Sequence, residues 1–522
     1  MRVWFCVMFV LFVNNLVLAQ PVVEMVQGPR LKAPTGLVVT KIIGQDESSF
    51  YVRRGDKPWD CFIDKFDKKS LKLKRSIKVK LLQPLEFFYE LQNETVFEVS
   101  NGGIMMVFDL WDKEGPKKVL YVQKIDKNGN VSGTRNELNT FHCKTAGAVA
   151  KTNYSCKFTP DKTKFVVKLS GDKDYLPMQT LTCYDTQTEK AIFTKSIESE
   201  YNGAEIKKII LDRVENNGDT YFHFYTGTDK AKNQKVYYTV IKADGSRFEE
   251  ITDEKTFKEE DKIRLSGADL RTKEKFVTAG VYVERLGKAY NKKRGNELKI
   301  GVYMGITDNT TGKITTRNYT LMPEEITKKL TYKLKEGDDE NVYPGEKQLV
   351  AKRLVKMNDN YYLIIEHQYV IKIHQEGVSD RDKKRVEINR ELMVVQFDKE
   401  GVFKWMKIIP KYTANGGDFD MIRRDGKIYF LYLESPKNAA FDIVHYPDIN
   451  DYEVTKETTN NIVCTSIDEA GVVEKHVVGQ NKIRQFYYVP RNINLFQDEE
   501  KTVLIGSFST GTKAKFGTII FH

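Results

Sequence analysis

The sequence predicts an all-β protein made of repeated four-stranded antiparallel sheets. Three observations predict it. Apolar residues fall in short runs rich in aromatic and β-branched side chains, helical periodicity is nearly absent, and a polar turn recurs at near-constant spacing.

The runs include Phe50-Tyr51-Val52, Val119-Leu120-Tyr121-Val122, Tyr221-Phe222-His223-Phe224-Tyr225, Tyr361-Tyr362-Leu363-Ile364-Ile365 and Ile428-Tyr429-Phe430-Leu431-Tyr432. Such side chains pack well on a pleated surface, so these are strands. One segment departs from the pattern. In Pro323 to Leu330, proline at the first turn and early acids predict a short helix.

The turns between strands are Asp67-Lys68-Lys69-Ser70, Asp126-Lys127-Asn128-Gly129, Asp185-Thr186-Gln187-Thr188, Ala243-Asp244-Gly245-Ser246, Asp308 to Gly312, Asp398-Lys399-Glu400-Gly401 and Asp468-Glu469-Ala470-Gly471. Asp and Asn bond locally to turn amides, and Gly takes positive φ at no steric cost, so these are hairpin turns. Their Asp positions are separated by 59, 59, 59, 64, 90 and 70 residues. Equal intervals followed by longer ones describe one unit with variable insertions.

Each unit divides into four strands. The second runs Thr95 to Ser100, Ile104 to Leu110, Lys118 to Ile125 and Val131 to Leu138; the third runs Tyr154 to Phe158, Lys164 to Leu169, Thr180 to Tyr184 and Ala191 to Ile197. The sixth runs Gln348 to Lys356, Tyr361 to Val370, Glu391 to Phe397 and Val402 to Ile409. A four-stranded meander at this spacing is the signature of a β-propeller blade. Stacking such sheets buries both faces of each, which explains strands apolar at nearly every position. After the seventh turn come Phe486 to Val489, Thr502 to Phe508 and Phe516 to Phe521, three strands without a fourth. The early strand Val22 to Val26 belongs to no other unit, and pairing it with the last sheet would hide an open edge. Eight blades are therefore favoured, closed by the N-terminal strand on the C-terminal blade, with seven as the alternative.

The chain resembles exported β-propellers of the broad kelch and WD40-like kind, in architecture and over nearly all its length. No recurrent Gly-His and Trp-Asp pair, Gly-Gly doublet or sialidase-type Asp box marks a specific family, so the resemblance implies a fold and no particular activity.

Residues 1–19 read as a secretory signal peptide, with Arg2 as the positive region, Val3 to Val13 as the apolar region and cleavage after Ala19. The ending Leu18-Ala19-Gln20 resembles signal peptides of exported Bacteroidota proteins. Residues 20–522 are then one propeller domain, destined for the periplasm, the cell surface or the extracellular space. The apolar run is too short for a transmembrane anchor and is broken by Asn14 and Asn15. Five cysteines remain, too few for a disulfide framework. Cys143 and Cys156 flank a loop and could form one bridge; Cys61, Cys183 and Cys464 lie in strand-like runs and read as buried thiols.

Composition narrows the function. The chain has 522 residues, 40% hydrophobic and 30% charged, with 27 Tyr and 29 Phe, which excludes a polytopic membrane protein and a disordered chain. Connections between second and third strands are long and polar, notably Glu284 to Glu297, His374 to Arg390 and Ser435 to Thr459, whereas three-to-four turns are tight. Long loops at one end of a rigid scaffold are where binding resides. Within the first of them, Arg285, Lys288, Tyr290, Lys292, Lys293 and Arg294 form a basic loop suited to an acidic glycan, a lipid phosphate or an acidic protein. Ser379 to Arg390 mixes bases with acids and reads as a surface segment. Gly337 to Asn341 is acidic but lacks calcium-loop spacing, and Asp126 to Asn130 has its Gly at the fourth position instead of the sixth. No catalytic motif of linear type, structural zinc spacing or cofactor fingerprint occurs.

The favoured reading is an exported, non-catalytic binding or scaffold protein of the cell envelope, with a protein or glycan partner and no cofactor. Nucleic acid is not expected, because the charge reads as spread over the chain. The alternatives are a hydrolase or lyase acting on glycans, its carboxylates assembled from different blades, and an accessory subunit peripherally associated with an outer-membrane or export complex.

Overall fold

Strands form from the aromatic and β-branched runs throughout the computed structural model. It describes residues 23–27, 31–32, 39–45, 48–57, 60–80, 89–98, 103–112, 117–126, 130, 136–142, 153–170, 179–197, 200–201, 204–226, 235–254, 262–271, 274–284, 300–308, 314–330, 349–373, 384–414, 419–440, 459–482, 496–497, 502–503, 513–514 and 517–521. Residues 1–19, expected as a signal peptide, and Cys143 lie outside them. Among the described residues, no helix is long and apolar enough to cross a membrane.

Two short strands come first, β1 (Val23–Gln27) and β2 (Leu31–Lys32). The first meander is β3 (Val39–Gln45), β4 (Ser49–Lys57), β5 (Asp60–Asp67) and β6 (Leu73–Lys80). The second is β7 (Tyr89–Glu98), β8 (Ile104–Asp112), β9 (Lys117–Ile125) and β10 (Asn136–His142). The third is β11 (Asn153–Phe158), β12 (Lys164–Ser170), β13 (Gln179–Asp185) and β14 (Ala191–Ile197). The fourth has an added short strand: β15 (Glu200–Tyr201), β16 (Ala204–Val214), β17 (Thr220–Thr226), β18 (Lys235–Ile241) and β19 (Arg247–Glu254). The fifth is β20 (Lys262–Arg271), β21 (Lys275–Glu284), β22 (Ile300–Asp308) and β23 (Ile314–Leu321), followed by the helix α1 (Glu324–Leu330) where the acidic PEEITKKL segment predicts one. The sixth is β24 (Leu349–Met357), β25 (Asn360–Ile373), β26 (Lys384–Phe397) and β27 (Phe403–Ile409), with β28 (Thr413–Ala414) on β26. The seventh is β29 (Asp420–Arg424), β30 (Lys427–Glu434), β31 (Thr459–Asp468) and β32 (Val473–Lys482). The chain ends with β33 (Phe496–Gln497), β34 (Thr502–Val503), β35 (Lys513–Ala514) and β36 (Gly517–Phe521).

Seven sheets have their strands side by side in chain order. The fold is an all-β propeller type with seven blades, and this corrects the expectation of eight. Among the described residues, the C-terminal segment does not build an eighth meander. Its strands β33, β34 and β36 join β1 in one sheet, and β34 meets β36 at the pair Thr502 and Ile519. The strand between them, β35, pairs with β2 in a separate ladder, so the segment does not run as four strands side by side in chain order. Phe486 to Val489, expected as the first strand of that blade, lies outside the described residues. The terminal strands do pair. β1 runs antiparallel to β36 from Val23 opposite Phe521 to Gln27 opposite Gly517.

The chain forms two compact units. One comprises Met1–Val39, Lys68–Lys72 and Gly417–His522, and the other Thr40–Asp67 and Leu73–Gly416. Within the second unit, successive sheets bury opposite faces. On β8, Met106, Phe108 and Leu110 pack with Tyr51 and Ile63 of the first sheet. The alternate residues Met105 and Val107 pack with Phe165, Val167 and Tyr184 of the third. The period-two geometry of a strand separates these two sets, so a strand buried on both sides reads as continuously apolar. The third and fourth sheets share Cys183, Phe193, Phe222 and Phe224, and the fifth and sixth share Val281, Met304, Leu363 and Val395. In the fifth sheet Gly280 opposes Tyr303 and Gly301 opposes Tyr282, with the tyrosine rings lying where a Cβ would stand. The first unit has its own core, in which Tyr429, Leu431 and Cys464 of the seventh sheet meet Val23, Ile519 and Phe521.

The recurrent Asp is a turn former. Asp185 Oδ1 accepts the amides of Gln187 (2.9 Å) and Thr188 (2.7 Å). Asp398 Oδ1 accepts those of Glu400 and Val402, and Asp468 Oδ1 that of Val472. Asp126 does the same with Asn130 N, which makes Asp126 to Asn130 a turn. Gly401 and Gly471 take φ near 80° three residues after the Asp. In the fourth sheet the matching backbone bonds belong to Lys242, with Gly245 three residues on, so Lys242 and not Asp244 is the counterpart.

Candidate functional site

The loop end of the sixth sheet is distinguished by strand length. β25 and β26 each have fourteen residues, against nine in β24 and seven in β27. β24 stops at Leu349 opposite His367, and β27 at Ile409 opposite Leu392. From Gln368 opposite Asn389 to Ile373 opposite Lys384 the two long strands continue as a ribbon. Six residue pairs at about 3.3 Å per residue project roughly 20 Å. β28 braces its base, pairing with Ile388 and Asn389.

The expectation of a loop from His374 to Arg390 is corrected here. Residues 384–390 belong to β26, and Ser379 to Arg390 is not simply a surface segment, since Asn389 and Arg390 are buried. The alternation that marks a strand was hidden by the charges of Lys384, Arg385, Glu387 and Arg390.

A β-bulge lies at the ribbon's base. Between the pairs Glu366–Leu392 and Gln368–Asn389, His367 alone faces Arg390 and Glu391. Bulges re-aim side chains, and this one gathers polar groups inside the protein. Glu366, with no exposed surface, contacts Lys411 Nζ through Oε1 at 2.5 Å and Lys352 Nζ through Oε2 at 2.9 Å. Gln368 Nε2 donates to Glu366 Oε2 and to Asn389 Oδ1. Lys411 Nζ donates to Thr413 Oγ1, whose hydroxyl donates to the Asn389 carbonyl. Glu391 Oε2 accepts from His367 Nδ1 at 2.9 Å, and its Oε1 lies 2.9 Å from Arg390 Nη2. The Arg390 guanidinium also sits 5.9 Å from the Tyr412 ring centre.

Every acid in this cluster thus faces a cation, as buried charges require. The chemistry available is fixation. Glu366 and Glu391 are sequestered from solvent and held by Lys352, Lys411, Arg390 and His367. The cluster ties β24, β25, β26 and the β27–β28 segment together where the ribbon leaves the sheet.

Other sheets place a charge near the same end of the second strand. In the first, Arg54 donates to Asp64 at 2.6 and 3.0 Å, and Ser76 Oγ donates to Asp64. In the second, Asp109 meets Lys118 at 3.2 Å, both buried. In the seventh, Glu434 meets Lys475 at 2.7 Å. Burial holds the Glu434 carboxyl above its usual range, with Lys475 opposing the shift. The signal for these residues is charge closing an apolar run, as in Tyr51-Val52-Arg53-Arg54 or Leu431-Tyr432-Leu433-Glu434.

The residues that sequence reasoning placed in the binding loop, Arg285, Lys288, Tyr290, Lys292, Lys293 and Arg294, lie outside the described residues, as does the acidic stretch Gly337 to Asn341. Cys156 lies on β11, and burial pushes its thiol upward. Cys183 and Cys464 are buried, pushed up to about 11 and about 12 by desolvation. Among the described residues, no three His, Cys, Asp or Glu side chains stand together to hold a metal ion.

No protein-family model matches the chain, and no curated protein matches it. Solved structures do. The chain is similar to the Dos1 propeller at 9% identity, covering 95% of this chain and 96% of that one with a TM-score of 0.39. It is similar to the C-terminal WD40 domain of Sif2 at 9% identity, with 96% and 98% coverage and a TM-score of 0.35. A structure from a study of two prolyl endopeptidases matches at 11% identity with a TM-score of 0.39; 92% of this chain aligns, spanning 54% of that one. These neighbours differ in function, and at such identities they bear on neither activity nor partner.

Proposed function

We propose that the protein is an exported, non-catalytic binding or scaffold module of the cell envelope that holds a protein or glycan partner at the loop ends of its sheets. The observation that carries this reading is the ribbon of the sixth sheet, six residue pairs long and fixed at its base by a buried, charge-compensated cluster. Rigid support beneath a connecting segment preorganises it for recognition and lowers the entropy lost on binding. The buried carboxylates are engaged by cations inside the sheet, which suits a brace and not an acid or base that must reach substrate.

The test combines capture and turnover. Full-length protein with 374–383 replaced by a two-residue turn is compared with wild type as bait on native membranes, and both are incubated with envelope glycans. The expected result is a stoichiometric partner retained by wild type, lost from the variant, and no glycan cleavage. Hydrolytic or eliminative turnover by wild type, or equal capture by both proteins, overturns the proposal.

A further inference from the structure

The basic surplus of the chain is concentrated in one hairpin. Residues 68–80 contain Lys68, Lys69, Lys72, Lys74, Arg75, Lys78 and Lys80 and no acid, a formal +7 in thirteen residues. The whole chain carries +11, so the other 509 residues carry +4. This is not the even spread that the composition alone implies. The run leads into β6, the outermost strand of the first sheet, which among the described residues pairs with β5 alone.

Lysines on edge strands commonly serve to prevent edge-to-edge pairing. The other outer strands show how few suffice. β14 carries Lys195 alone, β19 Arg247 alone, β23 Arg317 alone, β27 Lys404 and Lys407, β32 Lys475 and Lys482, and β10 neither Lys nor Arg. β6 carries four bases in eight residues. Its arrangement also has a cost in the free protein. Arg75 stands directly opposite Lys65 across the β5–β6 ladder, and like charges so placed destabilise a sheet.

We infer that β6 is a docking edge for a linear acidic polysaccharide, a site separate from the loop ends of the sheets. Lys74, Arg75 and Lys78 are all exposed. β6 bulges at Lys74, between the pairs Leu73–Phe66 and Arg75–Lys65, and beyond the bulge Arg75 and Lys78 point to opposite faces of the strand. The charges therefore line the edge from both sides, which matches a chain laid along it. Several are held in place beforehand, Lys78 over the Phe62 ring at 5.8 Å and Lys65 over Tyr51 at 5.2 Å. Residues 68–80 contain no aromatic ring on which a base could stack. Leu73, 45% exposed, is the single large apolar group exposed on β6 among its described side chains, little for insertion into a bilayer.

The test uses full-length protein on immobilised polygalacturonate and heparin, with single-stranded DNA and vesicles containing phosphatidylserine as competitors of other class. Lys74→Gln/Arg75→Gln/Lys78→Gln should weaken polysaccharide binding at least tenfold at physiological salt and flatten its salt dependence. Lys195→Gln/Arg317→Gln, on the outer strands β14 and β23, should leave it unchanged. If the triple variant melts early, Arg75→Gln alone carries the test, with about a threefold loss measured at a temperature where its circular dichroism matches that of wild type. Undiminished binding by these variants, no binding by wild type, or binding only to DNA or vesicles overturns the inference. Loss of partner capture on altering 374–383 with polysaccharide binding intact leaves it standing.

Discussion

Asp185 shows how a single side chain sets a blade's hairpin. Its carboxylate accepts the Thr188 amide, the Thr188 hydroxyl and the Gln187 amide, and these bonds hold its pKa below the usual carboxylate range. A carboxylate depressed in the folded state adds stability that is present above the unfolded pKa near 3.9 and lost as pH falls through the folded value. Asp185→Asn keeps an acceptor and loses the charge. Its melting temperature should therefore trail wild type most at pH 7, by under about 2 °C, and converge with it by about pH 2. A deficit constant across that range in differential scanning fluorimetry would remove the charge from the explanation. Residues of this kind were readable in the sequence, because an Asp after a strand and a Gly three positions on have a local mechanism. Lys242 was not readable, since there the backbone bonds and Gly245 form the turn without a carboxylate at the expected position. Leu71 and Glu189 likewise take positive φ, at 55° and 60°, where no Gly announces it.

Strands are readable where burial on both faces leaves a continuous apolar run, and unreadable where polar contacts substitute for it. Ile104–Asp112 and Asn360–Phe397 illustrate the difference. The first is apolar and its start was placed to the residue. In the second, residues 384–390 carry charges that the fold buries or spreads along a ribbon, and no local rule distinguishes them from a loop. The same polar groups give the element its energetics. Removing the cation from a buried pair leaves an uncompensated charge and costs about 3–5 kcal/mol, while an apolar pair of similar size is often tolerated. Lys411→Met should accordingly destabilise the protein, by less than that amount because Lys352 still faces Glu366, and Glu366→Gln added to it should restore part of the loss. Denaturant unfolding would measure both; additive losses would mean that Glu366 and Lys411 do not act as a pair.

For the molecule as a whole, the repeat was the legible feature and the count was not. Seven turns with an Asp, or a residue in its place, mark seven meanders. The C-terminal segment has apolar runs like those of a blade, but sequence alone does not reveal that β35 leaves the sheet to pair with β2. The pairing of Val23 with Phe521 was suggested by an orphan strand, an inference from what an exposed edge would cost rather than from any motif. The candidate site was less legible than the fold. The sequence reading placed binding in the loop holding Arg285 to Arg294 and took Ser379 to Arg390 for a surface segment, whereas the residues supporting the candidate site come from a bulge and from charges brought together across β24, β25, β26 and the β27–β28 segment. Composition also concealed where the positive charge resides, because a net value averages a concentrated hairpin with a nearly neutral remainder.

The most direct measurement is site-specific photocrosslinking in the native envelope, with the reactive group at position 378 in the connection of the sixth sheet and, separately, at position 469 in the tight turn of the seventh. Binding through the loop end predicts one saturable crosslinked partner from 378 and none from 469. A partner trapped from 469 alone, or equally from both, would contradict it.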